Sequence, residues 1–317
     1  MVIHSFTDTN NWHLVTMTVS GTKGILYLDG SAVKTGTMSD AGWSDPCRIG
    51  TFGVSSYPYK GSIYKPQIWN RALTSTEAWQ LYTDVKNNYQ GLFDGLVCGL
   101  DFKGDAKDFS GNGNDGTVTG ATLTTDQFGI VDSAYSFDGG DYIMCGNDAS
   151  VQITGTAITL SAYIYKTGTG HGYIISKGRD YTTNRGYHLD SYDDSGSLLI
   201  RARYRLTNDT NNLPFVTGLS YNTWYHVVST FDGATGKIYI DGVLMGTDST
   251  AGSIGSASTT LQIGVHYNTW YKFVGKIISP LIFNRVLSDD EVKTLNDLSK
   301  KGLLHPYKKN TNGGITQ

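Results

Sequence analysis

The sequence predicts an all-β chain, an antiparallel β-sandwich preceded by a partial second copy of the same fold. Three observations predict it. The first is an internal repeat. Residues 12–30 (WHLVTMTVSGTKGILYLDG) align with 224–242 (WYHVVSTFDGATGKIYIDG) at a constant offset of 212 positions, and Ile49-Gly50, Asn70-Arg71 and Glu77 align with Ile263-Gly264, Asn284-Arg285 and Glu291 at 214. A register held over roughly 80 residues marks a repeated structural unit. The second is composition: 39 glycines, 21 tyrosines and only 17 % charged residues suit short strands joined by tight turns. The third is alternation. AITLSAYIYK, GYHLDSY and SLLIRARYR alternate apolar and polar positions between turn residues, as half-buried strands do.

Residues 1–10 are polar. Each copy of the repeat then reads as a hairpin with one buried face. Val15, Met17 and Val19 (Val227, Ser229 and Phe231 in the second copy) point one way, and Leu26 and Leu28 (Ile238 and Ile240) flank an outward Tyr27 (Tyr239). The following Asp-Gly is a turn signal, because both residues tolerate positive φ. Trp12 and Trp224, at the strand starts, are read as core. CRIGTF gives a third strand and GVSSYPYKG a loop. Thr74-Ser75-Thr76-Glu77 is a capping box that starts a helix of about two turns. The polar run VKNNYQG, 85–91, is the expected linker between a first domain at 1–84 and a second at 92–302.

In the second domain LVCGLDF is the first strand, followed by a loop rich in Gly, Asn and Asp, KGDAKDFSGNGNDGTVTGA. The alternating runs come next, then the repeated hairpin, LQIGVH, an aromatic loop YNTWYK and GKIISPLIFNRVL. A second box, Ser288-Asp289-Asp290-Glu291, starts a helix to about Leu298. Residues 303–317 have no strand or helix pattern and are expected to form a tail. Many short strands with one terminal helix indicate a sandwich.

Composition also bears on function. A net charge of −3 leaves no basic footprint for nucleic acid. No run approaches the ~18 apolar residues of a membrane span, and Met1 begins no signal-peptide pattern. Cys47, Cys98 and Cys145 lack metal spacing and read as buried thiols. The seven histidines show no H-E-x-x-H spacing, no G-x-S-x-G turn occurs, and GNGNDG lacks the strand-to-helix context of a phosphate loop.

FDGGDYIMCG, TLSAYIY, NTWYHVVSTFDGATGKIYIDG and IFNRVLSDDEV, in this order, resemble the laminin G-like, concanavalin A-like jelly roll. The resemblance spans 92–300 fully and 1–84 only for the family's second half. It implies two antiparallel sheets and binding roles toward carbohydrate or protein, with calcium at the rim of some members. Some relatives are glycoside hydrolases, which need two carboxylates about the scissile bond. Here the only glutamates, Glu77 and Glu291, both stand at helix-capping positions, the family's Glu-x-Asp-x-x-Glu run is missing, and no aspartate pair stands out. The chain is therefore expected not to be an enzyme.

Calcium takes oxygen ligands clustered on a loop, and Asp108, Asn112 and Asn114 in DFSGNGNDG are the candidate ligands, with Asp115, Asp138 and Asp141 nearby in sequence. The same run also reads as an Asx-rich turn that satisfies its own backbone. For ligand binding the candidates are Tyr57 and Tyr59 in one copy and Tyr267, Trp270 and Tyr271 in the other, since sugar rings stack on exposed aromatics; the alternative is that they cover the underlying sheet.

Two function classes follow. One is a structural or adhesion part of a larger assembly, such as a virion decoration or fibre. The other is a carbohydrate-binding module of a secreted or surface protein. The lack of a signal peptide and of a disulfide framework favours the first, with a virion or extracellular surface as the expected location. Only eleven residues precede Trp12, whereas about 130 precede the repeat in the complete domain. The apolar face of the first copy is thus expected to need another chain, or additional polypeptide, to complete it.

Overall fold

The computed structural model describes residues 13–37, 66–179, 184–266 and 271–300, with backbone alone for 83–90. The chain divides into two units, Met1–Tyr89 and Gln90–Gln317.

The first unit contains β1 (Val15–Ser20), β2 (Lys23–Leu28) and β3 (Ser31–Thr37), which form an antiparallel meander in that order. Asp29 at φ +50° and Gly30 at φ +77° make the predicted turn between β2 and β3. The Asp29 carboxylate accepts the Leu14 N–H at 2.9 Å, and the Asp29 N–H donates to the Leu14 carbonyl at 2.9 Å. A Cβ on Gly30 would stand 2.8 Å from the Trp79 ring, so glycine is what lets the following helix approach. That helix, α1 (Ser75–Leu92), opens with the predicted box: Glu77 N–H donates to Thr74 Oγ1 and Thr74 N–H to Glu77 Oε2.

One expectation changes here. α1 has 18 residues rather than two turns, and it runs through the segment read as a linker. VKNNYQG is polar and holds no Pro, and its one glycine, Gly91, stands in the last turn, where the helix ends. β3 directly follows the turn, a strand that the sequence reading did not mark; CRIGTF, expected as a strand, and Cys47 lie outside the described residues.

In the second unit the strands begin with β4 (Leu96–Gly99), β5 (Thr117–Thr119), β6 (Thr122–Thr124), β7 (Ala134–Asp138) and β8 (Tyr142–Met144). Next come β9 (Ile158–Lys166), β10 (Gly172–Lys177), β11 (Gly186–Asp194), β12 (Ser197–Arg205), β13 (Asn211–Asn212) and β14 (Phe215–Leu219). The repeat supplies β15 (Trp224–Phe231), β16 (Gly236–Ile240) and β17 (Val243–Asp248), and β18 (Gln262–Ile263), β19 (Val274–Phe283) and helix α2 (Asp289–Ser299) complete the unit. Among the described residues they make two antiparallel eight-stranded sheets. A front sheet runs β13-β12-β11-β10-β18-β8-β5 with β14 on β12, and a back sheet runs β17-β16-β15-β9-β19-β7-β6 with β4 on β19.

Alternation decides which side chains fill the space between the sheets. Leu189, Leu198, Ile200 and Tyr204 of the front sheet meet Leu160, Ile164, Val227, Phe231 and Ile238 of the back sheet in one core. Cys98 and Cys145 are buried free thiols. The other face of β15 and β16 is also covered: Tyr239, expected to point outward, is buried, and its hydroxyl donates to Asp289 Oδ1 of α2 at 2.7 Å. Trp224 does not enter the core. It lies half-buried beside Tyr163 and Tyr165, because its parity on β15 turns it to the outer face; Trp12 is outside the described residues.

Candidate ligand-binding site

On the front sheet the residues that face away from the core come from the alternate positions of β10, β11 and β12. The register places Tyr173 opposite Asp190 and Asp190 opposite Arg201, and the next outer row is Ser176, His188 and Arg203. Asp190 and His188 are buried although they stand on an outer face, so neighbouring segments cover them. One cover is His171, just before β10. Another is Tyr271, just before β19, whose carbonyl accepts the Tyr173 N–H at 3.0 Å.

The rings form a continuous group. His171 stacks on Tyr192 at 3.8 Å between centroids and lies 4.4 Å from Tyr271 and 4.7 Å from Tyr173. Tyr173 continues to His266 at 4.4 Å, and His266 to His188 at 5.4 Å. The Arg201 guanidinium covers the Tyr192 ring at 4.3 Å and also bonds its hydroxyl. Tyr271 is half exposed and holds a left-handed φ of +52°, a conformation that a bulky side chain adopts only when its surroundings impose it.

At the base of this group is Asp190. Its Oδ2 accepts from Arg201 Nη2 at 2.9 Å, and His171 Nε2 lies at 3.5 Å, the outer limit of a hydrogen bond. Burial raises the cost of its charge, yet His171 and Arg201 outweigh burial and hold its pKa below the ordinary carboxylate value. Asp190 therefore stays ionised. Its second oxygen, Oδ1, is buried without a hydrogen-bond partner, a costly arrangement unless something else supplies a donor. The acids that follow on β11 are engaged: Asp193 accepts from Tyr221 and Asp194 from Thr217.

Of the five aromatics expected to bind ligand, Tyr271 belongs to this group; Tyr57, Tyr59, Tyr267 and Trp270 lie outside the described residues. Sequence reasoning missed Asp190, His171, Tyr173, Tyr192, Arg201, His188 and His266. The signal was present in GYHLDSY, which carries His188, Asp190 and Tyr192 at every second position, so all three share the outer face.

The candidate calcium residues lie in a turn that meets most of its own hydrogen bonds, although the Asn114 Oδ1 atom is buried without a hydrogen-bond partner. Asp108 Oδ1 accepts the N–H groups of Gly99 and Ser110, both at 2.9 Å, and Oδ2 accepts Asn114 N–H at 2.9 Å and Ser110 Oγ at 2.8 Å. Asn112 and Asn114 donate through their amides to the Val97 carbonyl at 3.2 and 2.8 Å. Asp141 accepts the Asp138 N–H, and Asp138 the Gly140 N–H. Among the described residues no group of three or more His, Cys, Asp or Glu is arranged to hold a metal ion. A cavity of about 420 Å³ on the second unit is bordered by Asp126, Phe128, Ile130, Val131 and Tyr163, whose ring stacks on His226 at 5.7 Å between centroids.

A family model described as the concanavalin A-like lectin/glucanases superfamily, of the laminin G type, matches residues 4–78 and 137–293, which is well over half of the sequence. The chain belongs to this superfamily. No curated protein matches it in sequence. Similar solved structures include the binding domain of Paraclostridial Mosquitocidal Protein 1 (18 % identity, 66 % of this chain and 53 % of that one, TM-score 0.51). The botulinum neurotoxin serotype G binding domain is also similar (16 % identity, 64 % and 51 %, TM-score 0.51). This chain spans about half the length of those two toxin domains. Domain 4 of a GH43 extracellular arabinanase from Geobacillus stearothermophilus, solved with arabinotriose, matches at 19 % identity over 63 % of this chain and 98 % of that one, TM-score 0.49. At such identities the likeness is one of fold.

Proposed function

We propose that the second unit is a non-catalytic carbohydrate-binding module. One observation carries this reading: the Tyr192, His171 and Tyr271 rings reach the surface beside an ionised, buried Asp190 with an unpaired oxygen. A sugar presents an apolar C–H face and hydroxyl donors on the same ring. Aromatic side chains take the face, and the half-exposed Tyr271 ring, packed with His171 over the buried Asp190, is placed to do so.

The non-catalytic part rests on the carboxylates. Glycoside hydrolysis needs two in opposed roles. Glu77 and Glu291 are committed to helix caps and to Arg71 and Arg285, each pair at 2.7 Å, and Asp190 is held ionised, unsuited to act as a general acid. The test is a glycan array with the whole chain, followed by titration of any hit. Tyr271→Ala is expected to weaken the hit at least about tenfold, with no release of reducing sugar. A silent array, or a hit indifferent to Tyr271→Ala, would reject the reading.

A second reading, a structural part of a larger assembly such as a virion decoration or fibre, draws on a different observation. Val15, Met17 and Val19 on β1 are all exposed on one side of a three-stranded sheet, the kind of surface that marks an interaction site.

A further inference from the structure

We propose that the site on the front sheet takes a linear oligosaccharide of three or more units, laid across the strands, with Phe215 of β14 as its far stacking platform. This rests on the carbohydrate-binding reading and names the ligand class of that same site.

The strand register supplies the direction. One row of the outer face runs Tyr173, Asp190, Arg201 and Phe215, on β10, β11, β12 and β14, each paired with the next. Neighbouring strands stand about 4.8 Å apart, so the row spans roughly 14 Å. Tyr271 stands at the β10 end, where its carbonyl accepts the Tyr173 N–H. One sugar unit with its linkage is about as long as one strand spacing. A single unit on Tyr271 therefore does not reach Phe215, whereas a chain of three does.

The surface along this row is made of planar groups. His171 lies 4.4 Å from Tyr271 and 3.8 Å from Tyr192, and the Arg201 guanidinium covers Tyr192 at 4.3 Å. Tyr192 is two residues beyond Asp190 on β11, hence on the same face and diagonal to Arg201. The Arg201 side chain keeps 19 % exposure. Its two hydrogen bonds, to Asp190 and to the Tyr192 hydroxyl, both leave from Nη2, and among the described residues Nη1 is neither bonded nor buried. Nη1 thus offers donors midway along the row, where the ligand presents hydroxyl and ring oxygens.

Phe215 departs from the pattern of its strand. The solvent face of an antiparallel sheet is ordinarily polar, and the next outward residue of β14, Thr217, donates its hydroxyl to Asp194. Phe215 is 52 % exposed, while Val216, of opposite parity, is 6 % exposed and belongs to the core. The core draws nothing from the Phe215 ring. The register nevertheless sets that ring beside Arg201, in line with Tyr271, itself 50 % exposed, at the other end. Two half-exposed rings with a guanidinium between them suit a chain of apolar sugar faces joined by polar linkages.

The experiment uses the whole chain and manno-, cello-, malto- and arabino-oligosaccharides of one to five units, titrated by calorimetry. In a series that binds, affinity is expected to rise at least about tenfold from one unit to three and then to level off. Phe215→Ala is expected to abolish the rise and Phe215→Tyr to restore it, whereas Tyr271→Ala weakens every length by a similar factor. The melting temperature of Phe215→Ala should match that of the parent, since the ring lies outside the core. Affinity independent of length, or a rise that survives Phe215→Ala, would overturn the proposal and leave the binding module standing. Silence of every series would overturn it too and, together with a silent array, the module reading as well. So would a dimer in sedimentation that Phe215→Ala dissolves. Phe215 would then serve a contact between copies, with the exposed Val243, Leu244 and Met245 of adjoining β17.

Discussion

Asp190 and His226 are both buried ionisable residues on strands, and the fold settles their charges in opposite ways. Asp190 has Arg201 and His171 beside it and stays charged. Burial, together with the positive charge of Lys300, pushes His226 down to about 3, against a weaker opposing hydrogen bond from Asn296. The ring stays neutral and its Nε2 meets Ser161 Oγ at 2.9 Å. The sign of the resulting pH dependence follows from linkage. Between about pH 6.5 and pH 3 the unfolded chain binds a proton at His226 that the folded chain does not, so stability falls on acidification across that window. Above 6.5 the residue contributes no slope. The acid limb attributable to it is about 1.4 kcal/mol per pH unit within the window, and His226→Gln is expected to flatten that limb in urea melts taken from pH 7 to pH 4. An unchanged limb would mean that other groups carry the acid sensitivity. Sequence inspection finds both residues at alternating strand positions, but it does not show which face acquires a second cover. For His226 that cover is α2, and for Asp190 it is His171 and Tyr271, segments distant in the chain.

The elements differ in how far they were legible. Hairpins and capping boxes were readable because each is specified by residues close in sequence: Asp-Gly at the turns, and Thr74 with Glu77 or Ser288 with Glu291 at the helix starts. The boxes hide a longer motif, however, since Arg71 and Arg285 each bond the capping glutamate six residues on. Hydrogen bonds from Arg71 and Thr74 pull Glu77 down to about 2. For Glu291 burial works the other way, but Arg285 and Ser288 prevail and its pKa also falls. The length of α1 was not legible, because polar residues that permit a helix look the same as polar residues that form a connection. The 105–116 loop offered two readings, and its hydrogen bonds support a prediction. Asp108→Ala strands the donors of Gly99, Ser110 and Asn114 and is expected to cost about 2–4 kcal/mol. The loss should be the same with chelator or with added calcium, measured as melting temperature; a loss that appears only with calcium present would place an ion in the loop.

At the scale of the whole molecule, the same hairpin occurs twice under different conditions, so the chain contains its own control. In the second unit β15 lies between β9 and β16, with the core on one face and α2 on the other. In the first unit β1 has one paired edge among the described residues and one bare face. The two hairpins share their turn and their alternation, so a large difference in stability between them reports tertiary cover more than strand propensity, which is the weaker influence in sheets. Cooperative units open with free energies that follow the burial they share. β15 should open only with the global unfolding of its sandwich, because its side chains are woven into that single core. β1 should open alone, at a much smaller cost. Native-state hydrogen exchange on the isolated chain is therefore expected to show the amides of β1 exchanging at least about a hundredfold faster than those of β15, a difference near 2.7 kcal/mol. Adding denaturant below the transition should speed exchange in β15 while changing β1 little, since opening β1 exposes little new surface. Equal protection of the two hairpins would show that the face of Val15, Met17 and Val19 is already covered in solution, and the search for its occupant would then begin with the oligomeric state of the chain.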